Sequence, residues 1–376
     1  MTRVAPQAFR HLLAGRRVLA VSGTNGKTTT THLLAAAVRA ADVGDVVSNA
    51  DGANLSYGIA SALSTDRHAP IAVLETDERV VRDMIEYGRP EVLVFLNFSR
   101  DQLDRHHEIK SLAKSWRRAL EDAGATGPVI VGNATDPLVV WAAQGARKAI
   151  WVETATKWNE DSALCPECGA MLQVDDGARP RWYCAECGLR QPEAEYTVAG
   201  NAIRLSSGEL IDPQLNVPGY FNVSNAACAL AAAVEFGISE TDAVSGFATV
   251  TSPAGRFATA KIGKAQARLI LAKNPAGWAE ALPLIETDPV VLAIDSVAAD
   301  GKDVSWLWDV PYEVLRGRNV ICAGPRAQDL AVRLSYAEVE HEVVPDLFDA
   351  VNYAKQTDVV ATYTPFQRYL KLGGLR

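Results

Sequence analysis

"RVLAVSGTNGKTTTTHLLAAAVRA", residues 17–40, decides the architecture. An apolar run turns through two glycines into a lysine, a row of threonines and an alanine-rich stretch of helical composition. Gly23 and Gly26 stand where backbone N–H groups must turn toward an anion. Thr24 and Asn25 lie between them, Lys27 follows where an ammonium reaches outer phosphates, and Thr28 and Thr29 open the helix, with the Thr28 hydroxyl placed for Mg2+. The commonest phosphate loop carries a further glycine, which would fall at Val21, so this is the shorter G-T-N-G-K-T form.

On either side of the loop the pattern repeats. Up to about residue 153, "DVVSNA", "PIAVLET", "EVLVFLNF", "PVIVGN" and "KAIWVET" join "RVLAVSG" as strand candidates separated by helical stretches. Apolar runs in that alternation predict an α/β fold whose parallel sheet is covered on both faces. "TSPAGRF", residues 251–257, is a plausible boundary. Beyond it "ARLILA", "VVLAID", "NVICAG" and "DVVAT" alternate with helices near 277–286, 326–337, 346–355 and 365–373. This reads as a second, smaller Rossmann-like unit. The expected organisation is an ATP-binding domain over 1–252 and a C-terminal α/β domain over 253–376.

Four of the six cysteines form "CPEC" and "CAEC", a C-x2-C-x15-C-x2-C pattern at Cys165, Cys168, Cys184 and Cys187. That spacing predicts a structural Zn2+ ribbon, about residues 157–192, inserted in the first domain. Four thiolates close the coordination shell, so the ion is expected to staple the chain rather than act as a catalyst. Disulfides are the competing reading, disfavoured where no export signal is seen. Cys228 and Cys322 sit in apolar runs and read as buried small hydrophobes.

The 376 residues, 48% hydrophobic and 22% charged, have an ordinary globular make-up. A net charge of -8 argues against general attraction to nucleic acid or anionic lipid. The ribbon, with Arg179, Arg181 and Arg190 against at least as many acids, lacks the basic stripe that nucleic acid requires. No apolar run approaches the roughly 20 residues of a spanning helix. Cytoplasmic placement is the expectation, and a short basic helix over 7–17 leaves open a peripheral contact at the inner membrane face.

"SGTNGKTTT" resembles the loop of the Mur ligases and their folylpolyglutamate synthetase relatives, which activate a carboxylate with ATP and let an amine attack. The likeness continues in order through "AVLETDE", "NFSRDQLDRHHE", "GYFNVSNAACALAA" and "AGRF". It implies that Glu75 binds magnesium, that Asn222 and Asn225 lie on the adenine side, and that Arg256 meets the nucleotide. Physically, a carboxylate at a strand's C-terminal end lies where α/β sheets bind ligands, the alternative for Glu75 being a strand-end salt bridge. An adenine edge would satisfy the Asn225 amide, with helix capping as the alternative. Gln102 departs from the family's histidine, and Lys114 is only a candidate for its modified lysine, which puts a second magnesium in doubt.

"LILAKNPAGWAEAL", "AIDSVAADGKDVSWLWD" and "GPRAQDLAVRLSYAEVE", with the four-cysteine ribbon, resemble the MurT branch of that family. The resemblance implies ATP-dependent amidation of the α-carboxylate of D-isoglutamate on a lipid-linked muramyl peptide, with ammonia from a GatD-like glutaminase partner. It implies that Asp303 completes the partner's cysteine–histidine pair, as an orienting carboxylate does in a nucleophilic triad. Read from the residues alone, capping of "VSWLW" by Asp303 weighs equally. Lys273 and Asn274 in "AKNPAG" resemble the Mur ligases' histidine-asparagine-proline strand end, which implies a place near the incoming nucleophile, the alternative for Lys273 being a pair with a surface carboxylate. Two rival readings are a ligase that adds an amino acid, and a nucleotide-binding module whose ribbon docks nucleic acid.

Overall fold

Six of the apolar runs become strands, of which β3, β4 and β5 are buried throughout: β1 (Arg17–Ser22), β2 (Val46–Ser48), β3 (Ile71–Glu75), β4 (Val92–Phe95), β5 (Val129–Asn133) and β6 (Ala149–Glu153). They are seen in a computed structural model that describes residues 8–49, 53–99, 109–155, 163–217, 219–251, 257–297 and 300–375. The described residues divide into two compact units, one through residue 251 and one from residue 257 onward. The first six strands pair in parallel in the order β6-β5-β4-β1-β3-β2. Alternate residues face opposite sides: Val18 and Ala20 enter one core, Leu19 and Val21 the other.

Helices α1 (Ala8–Leu13), α2 (Lys27–Ala40), α3 (Ser56–Thr65), the single turn α4 (Val81–Asp83), α5 (Ile109–Ala123) and α6 (Pro137–Ala143) accompany these strands. The lead-in helix is shorter than expected. Arg16 turns inward to donate to the carbonyls of Ala69 at 2.8 Å and Asp66 at 2.8 Å. Arg17 pairs with Glu91 and lies 3.8 Å over the Phe236 ring. Two of the arginines that suggested a membrane contact are thus tied into the fold. Among the described residues no helix is long and apolar enough to cross a membrane.

The four-cysteine ribbon carries β7 (Gln173–Val174) antiparallel to β8 (Trp182–Tyr183). Trp182 Nε1 donates to Ala134 O at 3.1 Å, and Glu167 accepts from both Trp141 and Arg117, which fastens the ribbon to α5 and α6. The chain leaves the main sheet at β6 and returns beside it as β9 (Tyr196–Ala199), followed by β10 (Ala202–Leu205) and β11 (Leu210–Ile211). The ribbon is therefore an insertion between neighbouring strands. Antiparallel β10 and β11 make the nine-stranded sheet mixed rather than wholly parallel.

Helix α7 (Tyr220–Phe236) is apolar on nearly all sides and small, with Ala226, Ala227, Ala229 and Ala231–Ala233 buried between α2 and the sheet. Cys228 is buried there and its thiol is pushed up to about 12 by burial, so it is inert. Beside it α8 (Glu240–Phe247) crosses α2 closely, because Gly246 brings backbone onto backbone. A Cβ at Gly246 would meet the carbonyl carbon and oxygen of Ala36 at 2.5 Å.

In the second unit β12 (Phe257–Ile262), β13 (Ala265–Leu271), β14 (Val290–Ala293), β15 (Val320–Ala323), β16 (His341–Val343) and β17 (Gln356–Ala361) form a six-stranded sheet in the order β12-β13-β17-β14-β15-β16. Only β12 is antiparallel to its neighbour. Helices α9 (Pro275–Ala281), α10 (Ala327–Tyr336), α11 (Leu347–Val351) and α12 (Tyr363–Leu372) cover it. The edge strands β12 and β16 are additions to the four strands expected here. α9 ends before residue 286, because Pro283 removes an N–H and the chain tightens into a 3-10 turn at Leu282–Leu284.

Gly246→Ala should lower the melting temperature. The intrinsic helix gain of about 1 kcal/mol is outweighed by roughly 1–3 kcal/mol of overpacking against a backbone that cannot rotate away. An unchanged or raised melting temperature would show that α2 and α8 separate freely.

Candidate functional site

The C-terminal end of β1 lies between β3 and β4, where the strand order reverses and open α/β sheets bind their ligands. Leu96 N donates to Ser22 O at 3.0 Å and Thr76 N to Val21 O at 2.9 Å, so the loop springs from a fixed base. Gly23 (φ 139°) and Gly26 (φ 86°) hold positive φ. At Gly23 a Cβ would meet Asn97 N and Leu96 Cβ, both at 2.9 Å, and at Gly26 it would strike Asn225 Oδ1. Glycine is required at both by conformation and by crowding.

Residues 97–99, just beyond β4, latch the loop. Thr24 N donates to Asn97 O at 2.9 Å, Asn25 N to Asn97 Oδ1 at 2.8 Å, and Asn97 Nδ2 to Asn25 O at 3.1 Å. The Thr24 hydroxyl and the Ser99 backbone exchange bonds near 3.1–3.2 Å, and Asn25 Nδ2 reaches Ser99 Oγ at 3.1 Å. The segment is itself held by Asp136, which accepts from Phe98 N at 2.7 Å. A loop pre-formed in this way has the geometry to cradle a phosphate.

Lys27, Thr28 and Thr29 are buried at the start of α2. The Lys27 ammonium donates to Gly23 O at 2.5 Å, Thr24 O at 3.2 Å and Glu78 Oε1 at 3.2 Å. Glu75 is 2% exposed at the end of β3. Asn54 Nδ2 donates to its Oε1 at 2.9 Å, while Asn49 clamps its backbone with two bonds of 2.8 Å. Its Oε2 is buried without a hydrogen-bond partner, as are the hydroxyls of Ser22 and Thr76. Hard oxygen donors left unsatisfied beside a phosphate cradle fit a magnesium ion, and the partner recorded for Glu75 is an amide rather than the salt bridge considered above. Burial would raise the Asp77 carboxyl, but Arg79 and the positive Lys27 outweigh it and hold it below the ordinary range.

Asn222 and Asn225 lie buried on α7, with Asn225 Nδ2 donating to Asn222 Oδ1 at 3.1 Å. Asn225 packs on Gly26, which brings α7 to the phosphate loop. Arg256 and residues 101–108, with Gln102, lie outside the described residues. Lys114 is exposed on α5. Asn97, Ser99, Asn49, Asn54 and Glu78 are site residues that the sequence reading did not single out. Asn97, Ser99 and Glu78 lie inside the quoted motifs and Asn49 inside a quoted strand run, whereas Asn54 lies in none.

In the ribbon, the ligand atoms of Cys165, Cys168, Cys184 and Cys187 lie within 4.8 Å of one another, the one such metal-capable group among the described residues. Sγ–Sγ separations of 3.5 Å, for Cys165–Cys187 and Cys168–Cys184, fit four thiolates around one tetrahedral ion. The Cys187 N–H directed at its sulfur helps pull the Cys184 thiol down to about 7.

In the second unit Asp303 is exposed, and its Oδ1 accepts from Ser305 N at 2.8 Å, a local turn that leads into the 3-10 turn Ser305–Asp309, whose N-cap is Val304. That N–H holds its carboxyl below the usual range, so it stays ionised. A local backbone bond and exposure thus coexist in one side chain. Trp306 is buried, whereas Trp308 is exposed and meets Tyr336 edge-on at 5.2 Å. Lys273 is half-buried at the end of β13, and Asn274 caps α9 through Gly277 N at 2.9 Å.

The Mur ligase middle domain family matches residues 21–233, and the MurT ligase C-terminal family matches residues 271–366. The chain is 30% identical, over 92% of its length and 85% of the relative's, to the lipid II isoglutaminyl synthase (glutamine-hydrolyzing) subunit MurT of Staphylococcus aureus strain COL. The chain belongs to the MurT family of Mur ligases. The Streptococcus pneumoniae MurT is 26% identical over 97% of this chain and 88% of that protein. A pseudomurein peptide ligase type C from Methanothermus fervidus shares the fold, with a TM-score of 0.73, 21% identity, and coverage of 95% of this chain and 78% of that one. As a member of the MurT family the chain is an ATP-dependent ligase.

Glu75→Gln should weaken binding of a non-hydrolysable ATP analogue at least about tenfold with magnesium present and leave it unchanged in EDTA. Equal loss in both conditions, measured by titration calorimetry, would count against a metal-binding role.

Proposed function

We propose that this chain is the synthetase subunit of a lipid II isoglutaminyl synthase, amidating the α-carboxylate of D-isoglutamate in the stem peptide to D-isoglutamine. The observation that carries this is the likeness to MurT across nearly the whole chain, with the MurT-type C-terminal match at residues 271–366. That match favours ammonia as nucleophile over a ligase that adds an amino acid.

In this reading the residues 23–26 backbone and Lys27 hold the triphosphate of ATP, with Asn222, Asn225 and Arg256 toward the base and sugar. Thr28 and Glu75 would hold magnesium, which shields the phosphate charge. A substrate carboxylate oxygen attacks the terminal phosphorus and ADP departs. Ammonia then attacks the acyl carbon, inorganic phosphate leaves, and the nitrogen gives up a proton to yield the amide. The rigid loop contributes by presenting its donors without reorganisation as charge moves between oxygens.

A GatD-like glutaminase supplies the ammonia. The exposed, ionised Asp303 is available to orient a partner's imidazole, which supports its place in a triad shared between chains. The four cysteines hold a structural zinc. The placement is cytoplasmic, at the face where a lipid-linked peptide is met.

Co-expression with a class I glutaminase should give a stable complex that amidates a lipid-linked muramyl peptide with ATP and glutamine. Turnover of an amino acid by the isolated chain would reject the proposal. Asp303→Asn should abolish glutamine-supported turnover and spare ammonia-supported turnover, and loss of both would reject its triad role. Metal analysis should find about one zinc per chain, lost on Cys184→Ser together with several degrees of melting temperature.

A further inference from the structure

We propose that Glu78 is a positioning residue that holds the Lys27 ammonium and hands it over to the outer phosphates when nucleotide binds. The inference rests on the nucleotide site described above and assigns a role to Glu78, which that reading leaves without one. An ammonium has three N–H donors. Those of Lys27 meet three acceptors: Gly23 O at 2.5 Å, Thr24 O at 3.2 Å and Glu78 Oε1 at 3.2 Å. A phosphate oxygen that takes a bond from Lys27 must displace one of them.

The two carbonyls cannot leave. They belong to the loop backbone, which Asn97, Ser99 and Leu96 pin from the end of β4. Glu78 is attached through a flexible side chain, so it is the partner that gives way. Charge points the same way, because a triphosphate repels a carboxylate and attracts an ammonium.

Burial explains why the pair is there. Lys27 and Glu78 side chains are 6% and 12% exposed, and a buried ammonium without an anion would be costly. The Glu78 backbone is anchored independently, since Trp116 Nε1 on α5 donates to its carbonyl at 2.9 Å. The side chain can therefore swing away without the 76–80 loop moving. Glu78 thus competes with nucleotide for Lys27 and, until displaced, holds the ammonium beside the Gly23 and Thr24 carbonyls.

The test is titration of a fluorescent non-hydrolysable ATP analogue with and without magnesium, on wild type and on Glu78→Gln, Glu78→Ala and Glu78→Asp. Wild type that binds no nucleotide would fail the proposed function itself, separately from this inference. Given wild-type binding, Glu78→Gln and Glu78→Ala should each bind roughly three- to tenfold tighter in both conditions, with Glu78→Asp near wild type. KM for ATP should fall by a similar factor while kcat changes less. Unchanged or weaker binding by the first two variants, in chains whose melting shows them folded, overturns the proposal. Weakening confined to magnesium also overturns it and makes Glu78 a metal ligand instead.

Discussion

The N-terminal unit depends on one close approach, the backbone of residues 23–26 against the end of β4. Gly23 has no room for a side chain beside Leu96 and Asn97, and Gly26 has none beside Asn225. Once the loop is pressed there, Thr24 and Asn25 find their partners on residues 97–99 and their N–H groups are fixed in direction. The start of α2 follows from this, because Gly26 in a left-handed conformation ends the loop and launches the helix. A row of threonines, poor helix formers, is carried as helix by burial rather than by propensity.

The same constraint explains the small residues elsewhere. α2 must sit at the β1 end, so α7 and α8 have to pack around it, and they do so with alanines and with Gly246 rather than with large side chains. Charge then gathers where the packing beside the loop is polar. Lys27 pairs with Glu78, Asp77 is held by Arg79 as well as Lys27, and Glu75 keeps an unsatisfied oxygen. Such an imbalance is costly in a scaffold and useful at a site that receives a cation and a polyphosphate.

Much of this was legible beforehand because the chemistry is local in sequence. Six strands of the first sheet, four of the second and the cysteine ribbon were read from short windows in which apolar runs, glycines or thiols sit close together. The strands missed were β9 and β10, inside the first sheet after the ribbon, and edge strands such as β16, whose residues His341–Val343 pair only with β15. Helix α9 fell short for a local reason, Pro283, that the window reading overlooked.

The sequence by itself determined the phosphate loop, the α/β alternation and the four-thiol ribbon, since each is specified by residue types at fixed spacing along one stretch of chain. Tertiary structure alone decided what surrounds them. Asn97 and Glu78 reach the loop from other strand ends, Asn225 from a helix some 200 residues onward, and Arg16 turns from a candidate surface charge into an internal tie. It also divided Trp306 from Trp308 and left Asp303 an exposed anion bonded to Ser305 N. Those roles depend on distances across the fold, which packing sets and which no periodicity or spacing along the chain encodes.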